Sequence, residues 1–137
     1  MPQATREERV TAGLETWRVL NGDALPFDEP AARRFVETSY DRAIDFAAAA
    51  NHDRAGRQMT QDRLVPLSGI TAPALVVHGT ADPLRPLPHG QALAAQIPHA
   101  RLAEVPGMGH GFFSPGLPRH IGTLILGHTR SSPAGGT

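Results

Sequence analysis

The chain has 137 residues, no Cys, and thirteen basic residues balanced by thirteen acidic ones, for a formal net charge of zero. That length suits one ordinary domain, and the lack of Cys excludes disulfides, thiolate nucleophiles and thiolate metal sites. The basic residues are all Arg and scattered, which excludes Schiff-base chemistry and a P-loop lysine and leaves no electrostatic footprint for nucleic acid.

The first residues are charged, mixed in sign and without the apolar stretch of a secretory signal. No run approaches the roughly 18 apolar residues that span a bilayer. A cytoplasmic protein without a membrane partner is expected. Thr5-Arg6-Glu7-Glu8 fits a capping box, in which hydroxyl and carboxylate each satisfy an orphan backbone N–H. Val10, Leu14 and Trp17 follow at helical spacing, and Asn21-Gly22 supplies the stop. Asp28 can cap a second helix with Pro30 in its first turn. Val36, Tyr40, Ala43 and Ala47 continue that helix, with Phe35 and Ser39 widening its face. Residues 57–64 are read as a further short helix.

The pattern changes near residue 66. Residues 74–77 are an apolar run without alternation, introduced by Pro73, which suits a strand covered on both faces. Residues 91–97 read as a helix stopped by Pro98, residues 102–105 as a second strand, and residues 117–129 as a last helix. Its inward side is expected to carry Ile121, Leu124, Ile125 and His128. The tail from residue 131 is small, polar and Gly-rich, and expected to fray. The architecture is therefore α/β, a helical part over residues 1–65 followed by strand-helix-strand-helix over residues 66–130. Two strands joined by a helix run parallel, and parallel sheets occur almost only as larger, doubly covered sheets. The pattern thus points to strands beyond these two, and to an open apolar edge that recruits another chain.

Two residues stand out chemically. Asp82 follows the first strand of the second half, where ligands bind in open α/β sheets, and His110 follows the second strand, flanked by Gly107, Gly109 and Gly111. Asp82 also fits a turn residue bonding its own backbone ahead of Pro83, and His110 a solvated loop histidine. Their order, with one helix between the two strands, favours the acid and the base of a Ser-Asp-His triad. No Gly-x-Ser-x-Gly elbow is present. Ser39 lies on a helix, Ser68 in a linker, Ser131 and Ser132 in the tail, and Ser114 four residues past the histidine. Thr80 lies in the Asp loop, where it can cap the turn. Seven His residues show no His-Glu-x-x-His or comparable spacing, so no metal site is expected. His78 reads as a partly buried strand-end residue, and His52, His89, His99, His120 and His128 as surface or helix positions. Trp17, Phe27, Phe35, Tyr40 and Phe46 could line an apolar pocket but read chiefly as helix-packing core, with one or two at a pocket mouth.

The stretch from Thr71-Ala72-Pro73 through Val77-His78-Gly79-Thr80-Ala81-Asp82-Pro83-Leu84, continued by Pro106-Gly107-Met108-Gly109-His110, resembles the α/β-hydrolase superfamily. Within it, Trp17-Arg18-Val19-Leu20-Asn21-Gly22, Pro26-Phe27-Asp28-Glu29, Pro88-His89-Gly90 and residues 100–110 resemble the aclacinomycin methylesterases. The resemblance covers the chain to about residue 130. It implies hydrolysis of a carboxylic methyl ester through an acyl-enzyme, without cofactor, in polyketide antibiotic biosynthesis. It makes Asp82 the acid, His110 the base, and the first half part of a lid. It also implies that the first six strands, the nucleophile elbow and the oxyanion loop lie upstream of Met1. The chain by itself is then expected to be inactive, acting on a small-molecule ester only when completed. The alternative is a non-catalytic module that dimerises through its open strand edge or binds an apolar ligand.

Overall fold

A computed structural model describes residues 4–43, 49–58 and 66–131. Helix α1 spans Arg6–Asn21 and opens on the expected capping box: Thr5 Oγ1 accepts from the Glu8 N–H, and the Glu8 carboxylate accepts from the Thr5 N–H. It closes at Gly22, whose φ of 65° turns the chain out of the helix while its N–H donates to the Val19 carbonyl. Helix α2, Glu29–Arg42, is capped by Asp28, whose carboxylate accepts from the Ala31 N–H, with Pro30 in the first turn. The helix ends short of the expectation, because Ala43 is extended, with φ −72° and ψ 122°; Ala47 lies outside the described residues.

Helix α3, Ala49–Gln58, was not legible in the sequence. Its residues Ala-Ala-Asn-His-Asp-Arg-Ala-Gly-Arg-Gln carry no large apolar side chain, so no buried stripe announces it. Of the helix expected over residues 57–64, residues 57 and 58 form the end of α3, and residues 59–64 lie outside the described residues.

After a 3-10 turn at Leu67–Gly69 the chain forms β1 (Ala74–Gly79), α4 (Leu87–Gln96), β2 (Ala100–Val105) and α5 (Leu117–Ser131). The strands are parallel, in register from Ala74 opposite Ala100 to Gly79 opposite Val105. Alternation along the strands gives each face its own cover. On one face α4 approaches so closely that a Cβ on Gly90 would lie 2.5 Å from the His78 ring, and Gln91 Nε2 donates to Glu104 at 3.1 Å. On the other face Leu117, Ile121 and Leu124 of α5 pack with Val77, Val105 and Met108. Ile125 departs from the expectation, being 49% exposed. It stands with Phe112, Pro118, Ile121 and Gly122 around an open apolar groove of about 330 Å³.

The helical part has its own core. Val10 and Leu14 of α1 meet Ala32 of α2, with Trp17, Phe27, Ala31 and Val36 around them. The fourth buried member, Phe113, comes from the loop after β2. Its ring sits edge-on to Trp17 at 5.0 Å between centroids and 5.3 Å from Phe35. Phe113 therefore joins the helical pair to the α/β part, and the adjacent Asp28 N–H donates to its carbonyl. Truncating the ring, 5% exposed, leaves a cavity between α1 and α2. Phe113→Ala is expected to cost about 3–5 kcal/mol in urea unfolding. Phe112→Ala, next to it but 44% exposed, is expected to cost under about 1 kcal/mol.

Candidate active site

The parallel ladder ends at Gly79 and Val105, and the two loops beyond it continue to bond. The Thr80 N–H donates to the Val105 carbonyl at 3.1 Å, and the Ala81 N–H to the Met108 carbonyl at 3.1 Å. Thr80 Oγ1 accepts from the Gly107 N–H at 2.8 Å, so the hydroxyl ties one loop to the other rather than capping its own turn. Two glycines make this approach possible. A Cβ on Gly79 would lie 2.0 Å from the Met108 carbonyl oxygen. Gly107 has φ of 72° behind Pro106, and the Met108 N–H returns to the Val105 carbonyl at 3.2 Å, as in a tight turn with glycine at its third position.

This seam brings Asp82 and His110 together, with His110 Nδ1 2.9 Å from Asp82 Oδ2. The carboxylate only accepts, so Nδ1 carries a proton, and in the neutral imidazole Nε2 then keeps its lone pair. The Asp82 side chain is 6% exposed and that of His110 36%. The other carboxylate oxygen of Asp82 accepts from the backbone N–H groups of Leu84 and Arg85, each at 2.8 Å. One oxygen of Asp82 thus organises the turn while the other meets the imidazole. Burial pushes the Asp82 carboxyl upward, but the Arg85 N–H, the His110 contact and the Leu84 N–H outweigh it and hold the group below its ordinary value.

Hydroxyls of the described residues are bonded elsewhere. Ser114 is buried and its Oγ donates to Asn21 Oδ1 at 3.2 Å. Ser131 Oγ donates to its own helix at Gly127. Among the described residues no hydroxyl bonds to the His110 ring, and no group of His, Cys, Asp and Glu could hold a metal ion. What the pair can do is accept a proton at Nε2 and bear the resulting positive charge beside a carboxylate. The sequence did not reveal what steadies the His loop from behind. The Leu20 carbonyl at the end of α1 accepts the His110 N–H at 2.8 Å, a backbone contact that no side-chain pattern announces.

Residues 39–118 match the family described as TAP-like proteins. Rhodomycin D methylesterase DauP of Streptomyces sp. strain C5 is 34% identical over 131 residues, covering 96% of this chain and 43% of that protein. Rhodomycin D methylesterase DnrP of Streptomyces peucetius is 33% identical over the same share of each. The chain thus spans well under half the length of these relatives. Among solved structures, the esterase RhEst1 from Rhodococcus sp. ECU1013 superposes with a TM-score of 0.61 at 20% identity, over 95% of this chain and 44% of that one. The 2-hydroxy-6-oxo-6-phenylhexa-2,4-dienoate hydrolase BphD from Rhodococcus sp. strain RHA1 gives 0.60 at 22% identity, over 90% and 45%.

The depressed Asp82 carboxyl sets a pH dependence. Its contribution to stability is complete above the unfolded value of 3.8 and is lost as the pH falls through the lower folded value. Glu8 and Asp41 are also held low, but they titrate equally in Asp82→Asn and cancel in the difference. Urea unfolding should therefore show the chain more stable than Asp82→Asn at neutral pH, with the gap closing below about pH 4. An unchanged gap in acid would contradict this.

Proposed function

The chain belongs to the TAP-like family of α/β-hydrolase proteins, and on that footing we propose that it supplies the acid and base of an ester hydrolase. The observation that carries the reading is the 2.9 Å contact between His110 Nδ1 and Asp82 Oδ2 at the ends of two parallel strands. Asp82 orients the imidazole, and His110 is the general base. The nucleophile is a serine on a strand-to-helix elbow outside these 137 residues.

The chemistry follows from the tautomer. Nε2 takes the serine proton as the serine oxygen attacks the ester carbonyl carbon, and Asp82 stabilises the imidazolium. The same proton passes to the alkoxy oxygen as the C–O bond breaks, releasing alcohol and leaving an acyl-enzyme. Nε2 then deprotonates water, which attacks the acyl carbon, and the serine oxygen regains the proton as the carboxylic acid departs. No step requires a cofactor. The relatives named as methylesterases support a methyl ester as the substrate class, and a place in polyketide antibiotic biosynthesis is part of the same proposal. In this reading residues 1–65 are lid, residues 66–130 complete the hydrolase core and residues 131–137 are tail. No described helix is long and apolar enough to cross a membrane, and a cytoplasmic setting fits the reading.

The 137-residue chain alone is expected to show no turnover of activated esters. Joined or mixed with an α/β-hydrolase segment carrying Gly-x-Ser-x-Gly, it is expected to hydrolyse methyl esters. In that complex Asp82→Asn lowers kcat by about 10⁴ and His110→Ala by about 10⁶. Turnover by the chain alone that His110→Ala abolishes would reveal another nucleophile. Complemented turnover indifferent to both substitutions would remove the acid–base assignment.

A second reading, self-association, rests on the apolar surface the fold leaves open. The strands β1 and β2 pair only with each other among the described residues, and Phe112, Ile125 and Leu126 are exposed. Unpaired strand edges and apolar faces both recruit another chain. Sedimentation velocity is expected to show association growing with concentration. A single monomeric species at every concentration, melting cooperatively, would show the edge to be closed within one chain.

A further inference from the structure

Asn21 is 1% exposed, and its carboxamide is occupied at both ends. Nδ2 donates to the carbonyls of Gly22 at 3.2 Å and Leu25 at 3.0 Å. Oδ1 accepts from Ser114 Oγ at 3.2 Å, across 93 residues of sequence. A helix stop needs none of this, since Gly22 with its positive φ and its bond to Val19 already ends α1. A buried amide is costly unless paired, so its three bonds fix something beyond the cap.

What they fix is the end of α1 against the loop that carries His110. The Leu20 carbonyl accepts the His110 N–H at 2.8 Å. A Cβ on Gly109 would lie 2.3 Å from the Asn21 carbonyl oxygen and 2.5 Å from that of Leu20. The backbone of the His loop therefore rests directly on the last carbonyls of α1. His110 is held from two sides, its ring by Asp82 and its backbone by Leu20. Asn21 and Ser114 span the same junction with a directional side-chain bond, four residues beyond the histidine.

We propose that Asn21, through Ser114, is a positioning residue for His110, keeping the end of α1 where the imidazole meets Asp82 through Nδ1 and presents Nε2. The proposal rests on the reading of Asp82 and His110 as an acid–base pair. It assigns part of that pair's geometry to the helical half of the chain, so that a displacement of α1 displaces the base.

The tautomer of His110 reports this geometry in the full 137-residue chain, without any substrate. With ¹⁵N-labelled histidine and a pH above the imidazole titration, long-range ¹H–¹⁵N spectra distinguish Nδ1–H from Nε2–H, and His110→Gln identifies the signal. The unaltered chain should be predominantly Nδ1–H at His110. Asn21→Ala and Asn21→Asp should shift it to predominantly Nε2–H, as in an unrestrained imidazole, and Ser114→Ala should shift it partway. Spectra are recorded where circular dichroism shows each variant folded, so that a merely structural role lowers the melting temperature and leaves the tautomer alone. Should Asn21→Ala not fold, Ser114→Ala, which removes a single oxygen, decides the matter. Folded Asn21 and Ser114 variants with an unchanged Nδ1–H signal overturn the proposal while leaving the acid–base pair intact. An unaltered chain without Nδ1–H preference removes the pair itself, and the proposal with it.

Discussion

The geometry of this chain depends on how closely two loops approach beyond the last rung of a parallel ladder. Strands in register end together at Gly79 and Val105, but the residues of interest lie three and five positions further on. Loops leaving parallel strands ordinarily diverge toward their own helices. Here Gly79 has no side chain, and the Met108 carbonyl occupies the space where a Cβ would stand. Two backbone bonds and the Thr80 hydroxyl then close the seam. Once it is closed, an Asp on one loop and a His on the other have little room except against each other. A larger residue at position 79 would part the loops before any change at Asp82 or His110 mattered.

Asp82 illustrates how one group serves fold and chemistry through a single electrostatic arrangement. A carboxylate with a nearly buried side chain would take up a proton unless donors replaced the water it lost. The Leu84 and Arg85 N–H groups do so at one oxygen, and they are supplied by the turn that the carboxylate itself organises. The second oxygen is thereby kept ionised for the imidazole. Bonding its own turn and meeting the His110 ring are therefore compatible for one carboxylate.

Much of this was legible in the sequence, and the reasons are local. The capping box at Thr5, the cap at Asp28 and the stop at Gly22 are decided within four residues, and the structure forms all three. Each strand extends two residues beyond expectation, and their order is kept. Asp82 and His110 could be paired because each follows a strand and parallel strands end side by side. What could not be read depends on partners distant in sequence. Asn21 looked like a helix stop, and nothing near it pointed to Ser114. Ile125 lies beside Leu124 on the apolar side of α5, and a two-stranded sheet is too narrow to cover both. Helix α3 has no apolar stripe at all.

The junction between the helical pair and the His loop divides its work between two kinds of force. Burying the Phe113 ring is the largest single contribution, since a fully buried aromatic side chain is worth about 1.5–3 kcal/mol. That contribution has little direction, because a ring between α1 and α2 tolerates small slides and rotations. A hydrogen bond contributes about 0.5–1.5 kcal/mol net, yet it weakens steeply when distance or angle departs from the optimum. The bonds at Leu20, Asn21 and Asp28 therefore set the register in which Phe113 docks. Phe113 lies three residues from His110, so register error at the ring reaches the imidazole through very little chain. A loop held by burial alone would keep its place in the fold and lose the orientation of its imidazole. Its polar contacts, weaker individually, are what make the position of His110 specific.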